Sequence, residues 1–281
     1  GLTRWQVHTS HPAYFGLFNP SATPAGVAAD ALVAAFNPQM AAWSHNPFAN
    51  EVERHLVRAL GSKFGYAEAD GTFCSGGMEA NHTAVLTAII SRFPAFLEDG
   101  AASLKRPVLY ASAESHHSIL KSARLTGLGT NVVRLVPVDD KLRMSAAELR
   151  RMLQQDRAAG RTPFLVVATA GTTSAGAIDP LPEIAALCNA EDLWLHTDAA
   201  WGGAAALVPE LRDTIAGIES SDSITFDAHK WLSVPMGAGL YLTRHRDILD
   251  RTFRVQTAYM PQDAAALDIV DPHLHSMQWS R

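Results

Sequence analysis

The chain has 281 residues, 47% of them apolar, a net charge of −5 and two cysteines, Cys74 and Cys188. That length can bury a large core. The composition excludes a basic nucleic-acid-binding stripe, a disulfide framework and, with no run of roughly 18 apolar residues, a membrane-spanning helix. The first residues, Gly1-Leu-Thr-Arg-Trp-Gln-Val-His8, lack the apolar run of a secretory signal. Together with the sparse cysteines this gives an expected cytoplasmic location.

In chain order, residues 11–21 are aromatic and broken by Pro and Gly, which predicts an ordered loop. A helix follows over 47–60, with Phe48, Val52, Leu56 and Leu60 along one side. Gly76 and Gly77 form a turn into a helical run over 79–90. Apolar, β-rich runs at 108–111, 132–136, 164–168, 193–195, 223–226 and 239–242 read as strands. Between them, 145–158 reads as a helix opened by Ser145 with Glu148 three residues on, a capping box. Residues 180–190 read as a helix with Asp179 as its cap and Pro180 in the first turn. The turn holding Pro235 and Gly237 returns 239–242 beside 223–226 as an antiparallel pair. Strands alternating with helices argue for a mostly parallel sheet covered on both faces.

Two strand ends carry the chemistry. Leu193-Trp-Leu-His-Thr-Asp-Ala-Ala-Trp201 presents Asp198, and Asp222-Ser-Ile-Thr-Phe-Asp-Ala-His-Lys-Trp231 presents His229 and Lys230. A buried carboxylate and a buried amine are costly without partners. One ligand asks for both: pyridoxal 5′-phosphate, whose aldehyde condenses with a lysine and whose pyridinium nitrogen takes an acidic partner. An amine buried beside cationic groups becomes nucleophilic. Gly76, Gly77 and Met78 stand before a helix, where free N–H groups and the helix dipole suit a phosphate. The twelve histidines show no zinc-site spacing, and no Gly-x-Ser-x-Gly elbow appears.

Five stretches, Cys74-Ser-Gly-Gly-Met-Glu-Ala-Asn81, Ser112-Ala-Glu-Ser-His-His117, Thr169-Ala-Gly-Thr-Thr-Ser-Ala-Gly-Ala-Ile-Asp179, His196-Thr-Asp-Ala-Ala200 and Asp227-Ala-His-Lys-Trp231, resemble in order and spacing the group II pyridoxal-phosphate-dependent decarboxylases, the family of aromatic amino acid and glutamate decarboxylases. The resemblance implies an α/β fold: the fold type I large domain, with a seven-stranded, mostly parallel sheet sandwiched by helices. It implies a division into residues 1–50, lining the substrate pocket and dimer interface, and 51–281, the cofactor-binding large domain. The family's C-terminal small domain is expected to be absent.

By the same resemblance Lys230 is the Schiff-base lysine and Asp198 the partner of the ring nitrogen. His116, rather than the adjacent His117, stacks on the ring, with Ala200 on the opposite face. Thr173 lies near the cofactor's phenolic oxygen. Gly76, Gly77 and Met78 hold the phosphate, with Ser75, Ser223 and His229 as further contacts. Related proteins often have Ser or Thr where Met78 stands, so Met78 offers its backbone N–H alone. Asp227 stands where some relatives have Asn; a carboxylate would repel a phosphate, and it is left out of the site. Tyr259 matches the tyrosine of a mobile loop that protonates the substrate Cα across a homodimer interface. Phe18, Asn19 and Pro20 fall where relatives line the side-chain pocket, and Trp43 and Pro47 in a second lining stretch. Their aromatic character suits an apolar or aromatic substrate. The implied reaction is decarboxylation of an L-amino acid to its amine. The alternatives are a pyridoxal-phosphate-dependent aldehyde synthase or other reaction on the same site, and a truncated, inactive cofactor-binding scaffold.

Overall fold

Apolar runs too short for helices and lacking polar alternation suit strands buried on both faces. In the computed structural model, which describes residues 1–16, 20–255 and 269–277, they form such a sheet. The short α1 (Leu2–Trp5), α2 (Pro24–Phe36) and α3 (Pro47–Lys63) lead to β1 (Asp70–Cys74) and α4 (Gly77–Arg92). The short α5 (Phe96–Asp99) precedes β2 (Pro107–Ser112), α6 (Ser118–Leu125), β3 (Val133–Val136), α7 (Ala146–Ala158), β4 (Thr162–Thr169), α8 (Leu181–Ala190) and β5 (Trp194–Asp198). Then come β6 (Ser223–Asp227), β7 (Gly239–Thr243) and α9 (Ile248–Phe253).

Among the described residues the sheet has seven strands in the order β1-β7-β6-β5-β4-β2-β3. Strands β2 to β6 pair in parallel. β7 runs against both of its neighbours, pairing Ser223 with Thr243 on one side and Asp70 with Thr243 on the other. The expected return of 239–242 beside 223–226 is therefore present. Strand residues alternate between two cores. Val108, Tyr110, Val166 and Ala168 pack with Leu149 and Leu153 of α7 and Ile184 and Leu187 of α8. Leu109, Ala111, Leu165 and Val167 pack with Val85, Ala88 and Ile89 of α4 and Ile119 of α6. The Ala residues of α4 let that helix lie close over the centre of the sheet, which brings its N-terminus to the strand ends.

Several local expectations change. β1 went unread because Asp70-Gly-Thr-Phe-Cys74 has little apolar content; Gly71 is fixed by its neighbour, since a Cβ there would lie 2.3 Å from the Tyr241 carbonyl oxygen. α2 was also unread, although Thr23 caps it by accepting the Gly26 N–H at 3.1 Å, with Pro24 at its first position. Ser145 caps α7 by accepting the Glu148 N–H, but the other half of the capping box is not made: the Glu148 carboxylate pairs with Arg151. Asp179 does not cap α8 with its side chain. Its carboxylate instead accepts the N–H groups of Met144 and Thr169 at 2.6 and 2.8 Å, tying two loops together, and burial pushes its pKa up to about 6.

The apolar side expected along α3 is not a core face. Phe48 is 80% exposed and Val52 and Leu56 are open, while Asn50, Val57 and Gly61 are buried. Val27, Leu32 and Phe36 of α2 are likewise exposed.

Candidate active site

Parallel sheets offer a crevice at the carboxyl ends of their strands, where the chain leaves for the next helix. Here Thr169, Asp198 and Asp227 are the last residues of β4, β5 and β6, and all three face one cavity of about 260 Å³. Of the expected residues, Ser75, Gly76, Gly77, Met78, His116, Thr173, Asp198, Ala200, His229 and Lys230 line it. His116 lines the cavity and the adjacent His117 does not. Asn81, Thr169, Gly171, Trp201, Asp227 and Met236 complete the wall.

The Asp198 end is a finished hydrogen-bond network. Asp198 Oδ2 accepts from Asn81 Nδ2 at 2.7 Å and Oδ1 from the Ala200 N–H at 3.1 Å. The other Asn81 N–H goes to Ser118 Oγ at 2.8 Å, so the Asn81 oxygen is an acceptor. It takes Thr225 Oγ1 at 2.8 Å and His196 Nε2 at 3.0 Å. That assigns the His196 proton to Nε2, and Nδ1 accepts from Ser223 Oγ at 2.9 Å. Ser223 Oγ in turn accepts from Trp194 Nε1 at 2.9 Å. Burial holds the His196 imidazole down to about 4, so it is neutral near pH 7. Asp198 is thereby oriented with its hydrogen bonds donated from one side, a carboxylate ready for one more N–H.

Ser223 is therefore corrected: it is not a phosphate contact. It begins β6, whereas the cavity lies at the end of that strand, four residues or about 13 Å away. Asn81 is the main residue that sequence reading missed. Its position offered little signal, because Glu79, His82 and Thr83 beside it in the first turns of the helix are polar as well.

The Gly76–Met78 end is unfinished. Among the described residues, the N–H groups of Gly76, Gly77 and Met78 make no backbone hydrogen bond, as expected for the first turn of a helix. Gly77 packs against a carboxylate: a Cβ there would lie 2.9 Å from Asp227 Oδ2 and 3.3 Å from the Ala200 Cβ. Asp227 Oδ2 is 3.1 Å from Lys230 Nζ and 3.8 Å from His229 Nε2. The expectation of cationic surroundings for Lys230 thus meets a carboxylate as its nearest charged partner. Asp227 Oδ1, His229 Nδ1 and Thr169 Oγ1 are buried without a hydrogen-bond partner among the described residues. Burial raises the Asp227 pKa against the pull of Lys230 and His229.

His116 accepts the Ser118 N–H at Nδ1, and its pKa is lowered by burial and by His117 beside it. Its ring lies 4.0 Å from that of His117. Gly171, at φ +94°, passes under Trp201, where a Cβ would come within 2.6 Å of the indole. Trp201 itself meets Trp231 edge-on at 4.8 Å.

Pro20 is exposed and is not part of the wall. The segment after it docks nearby: the Thr23 N–H donates to the Ser233 carbonyl at 2.8 Å, on the loop that follows Lys230. Phe18, Asn19 and Tyr259 lie outside the described residues. Trp43 lines a different cavity, of about 300 Å³, whose polar wall is internally paired: His275 Nε2 with Asp70, Trp43 Nε1 with Glu51, and the Phe73 N–H with Glu53. Among the described residues no group of His, Cys, Asp and Glu could hold a metal.

A flat, phosphate-bearing aldehyde fits the first cavity. Its phosphate oxygens would suit the first turn of α4, its ring N–H would suit Asp198 and its aldehyde carbon Lys230. The comparisons agree. The model of the pyridoxal-dependent decarboxylase conserved domain matches residues 2–281. An aromatic-L-amino-acid decarboxylase of Bacillus atrophaeus is 35% identical over 90% of this chain and 52% of its own length. Human cysteine sulfinic acid decarboxylase is 35% identical over 95% of this chain and 55% of its own. The crystal structure of mouse CSAD in apo form superposes with a TM-score of 0.92 at 33% identity, covering 98% of this chain and 58% of that one. The chain spans about half the length of the curated relatives it matches.

Proposed function

The chain belongs to the pyridoxal-dependent decarboxylase family, a fold type I α/β group whose cofactor is pyridoxal 5′-phosphate, and from that membership we propose that it releases carbon dioxide from an L-amino acid and yields the amine. The observation that carries the proposal is one cavity joining a lysine, an oriented carboxylate and a glycine-lined helix N-terminus with unpartnered polar atoms around it. When bound, pyridoxal phosphate supplies an electron sink conjugated with the substrate α-carbon.

The chain's own groups do the rest. Asp198, held by Asn81 and the Ala200 N–H, keeps a proton on the pyridine nitrogen and so favours flow of charge toward the ring. Lys230, whose amine reaches the cavity, would hold the cofactor through its aldehyde. His116 and Ala200 would confine the ring, Thr173 would lie by its phenolic oxygen, and Gly76, Gly77 and Met78 with His229 would hold the phosphate. Confinement of the plane selects which bond to Cα stands perpendicular to it, the orientation that cleavage requires. Tyr259 returns a proton to Cα, and Phe18 and Asn19 border the substrate side chain; support for these three is the sequence resemblance.

Self-association into a homodimer belongs to the same proposal. Its support is the exposed apolar surface of α2 and α3, with Phe36 81% open to solvent. A cytoplasmic site is supported by two cysteines that are both free and buried. Among the described residues no helix is long and apolar enough to cross a membrane.

The test is a screen of the standard amino acids, diaminobutyrate and DOPA for released carbon dioxide and amine, using purified protein supplied with pyridoxal phosphate. One amino acid giving both products in equal amounts is expected. Cofactor binding without either product from any of them would leave a binding scaffold in place of an enzyme.

A further inference from the structure

Asp227 is the feature of the cavity that a phosphate site should not have. Its carboxyl group is buried, with the residue only 2% exposed, and sits against the Gly77 Cα at the N-terminus of α4. Oδ2 faces Lys230 Nζ at 3.1 Å, but Oδ1 has no hydrogen-bond partner among the described residues. An ionised carboxylate with an unpaired oxygen beside a bound phosphate dianion puts two like charges together out of water, where they repel most strongly. A neutral carboxyl in the same place reverses the sign of the contact, because its O–H donates to a phosphate oxygen.

We propose that Asp227 takes up a proton when pyridoxal phosphate binds, and as a neutral acid donates a hydrogen bond to the cofactor's phosphate. The step is an acid–base one. A proton from solvent bonds to the free oxygen of Asp227, the site gains one positive charge, and nothing is oxidised or reduced. In the empty site the ionised form is paired with Lys230; in the loaded site the dianion replaces that pairing.

The charged and titratable groups around Asp227 set this balance. Lys230 and His229, from its own loop, favour the ionised form; burial and Asp198, from β5, favour the neutral one. Cys74, ending β1, faces it as a thiol whose own pKa is raised by burial. The N–H groups at the start of α4 favour negative charge, and a phosphate would compete for them. Adding a dianion to this set tips it toward protonation. The opposite solution, an amide at this position, would donate to phosphate at every pH. Asp227 makes retention of the cofactor depend on pH instead.

The inference rests on reading the cavity as a pyridoxal phosphate site, and the experiment separates the two. The probes are 4′-deoxypyridoxine 5′-phosphate, which has the ring and phosphate but no aldehyde for Lys230, and 4′-deoxypyridoxine, which lacks the phosphate as well. Their affinities are measured by tryptophan fluorescence from about pH 7 to about pH 9, above the second phosphate ionisation near 6. For the native protein the phosphorylated probe should weaken roughly tenfold per pH unit once Asp227 is ionised in the empty site, the slope for uptake of one proton. The unphosphorylated probe should not show that slope. Asp227→Asn should abolish it and bind the phosphorylated probe more tightly than the native protein near pH 9. Equal slopes in the two proteins would overturn the proposal. Should the variant fold poorly, the native protein decides alone: in weakly buffered solution near pH 8, about one proton should disappear from solution per phosphorylated probe bound. Binding with no uptake would overturn the role of Asp227 and leave the cofactor site standing, whereas failure of the phosphorylated probe to bind at any pH would sink the site itself.

Discussion

The two ends of the cavity are built on opposite plans. At the Asp198 end the side chains of Trp194, Ser223, His196, Asn81, Thr225 and Ser118 form one hydrogen-bonded chain that terminates on Asp198, with Thr169 Oγ1 beside it the exception among the described residues. At the Gly76–Met78 end, among the described residues, Asp227 Oδ1 and His229 Nδ1 are buried and unpartnered, and the N–H groups of Gly76, Gly77 and Met78 make no backbone hydrogen bond. Buried polar groups are ordinarily paired, because each unpaired one costs on the order of 1–3 kcal/mol. The difference teaches where the protein alone determines the geometry and where it leaves the geometry to a ligand. On the proposed reading Asp198 is oriented before the cofactor arrives, because an electrostatic task loses turnover to any reorganisation. On the same reading the Gly76–Met78 end stays unsatisfied until a phosphate's oxygens complete it.

The largest expected effect breaks the finished end. Asp198→Asn keeps the shape but loses the charge that holds a proton on the ring nitrogen, and amine formation should fall roughly a hundredfold to a thousandfold. Near-native turnover at saturating cofactor would remove Asp198 from its role. The next follows from His196. Its folded pKa of about 4 lies below the unfolded value of about 6.5, so the unfolded chain binds more protons between them. The stability contribution is complete above about pH 6.5 and is lost as pH falls toward about 4, on the order of 3 kcal/mol in all. Denaturant titrations across that range should show the loss in the native protein and a flatter profile in His196→Gln; parallel profiles would contradict a buried neutral imidazole.

Asn81→Ala should sharpen the same comparison at smaller scale. It leaves the His196 N–H and one Asp198 oxygen without their partner, for a loss of about 1–3 kcal/mol in chemical unfolding. Bound cofactor should also lose the pH-independent spectrum of a protonated ring, a change that structural loosening elsewhere would not produce. The smallest effect concerns the unfinished end. Gly77→Ala brings a Cβ to 2.9 Å from Asp227 Oδ2, which must shift. Cofactor affinity should drop about tenfold, or ~1.4 kcal/mol, while the cofactor-free protein melts as before. A fall in melting temperature with unchanged affinity would place the glycine in the framework and not in the cradle.

How much of this was legible depended on whether a residue works through its type or through its direction. Lys230, Asp198 and the Gly76–Gly77 turn, which the fold brings to one cavity, could be singled out because the chemistry expected of each admits few side chains, and each follows or precedes a recognisable apolar run. The six strands could be read from their apolar runs, most of which are buried; the polar residues within them, His196, Thr197, Ser223 and Thr225, are buried as well and hydrogen-bonded. β1 escaped because an edge position tolerates Asp70, Gly71 and Thr72. Ser223 was misplaced because a sequence string does not say which end of a strand faces the site, and Asn81 was overlooked because its four partners come from α6, β5 and β6. The α3 stripe was visible as apolar, but periodicity alone cannot say whether such a face meets this chain's core or another surface.

The central claim is that this cavity holds pyridoxal phosphate with its aldehyde carbon at Lys230. Borohydride reduction of the protein incubated with the cofactor, followed by proteolysis and mass mapping, tests it most directly. The account predicts stable attachment to the peptide containing His229-Lys230-Trp231 and none in Lys230→Ala. Attachment to a different lysine, or undiminished labelling of the variant, would contradict it.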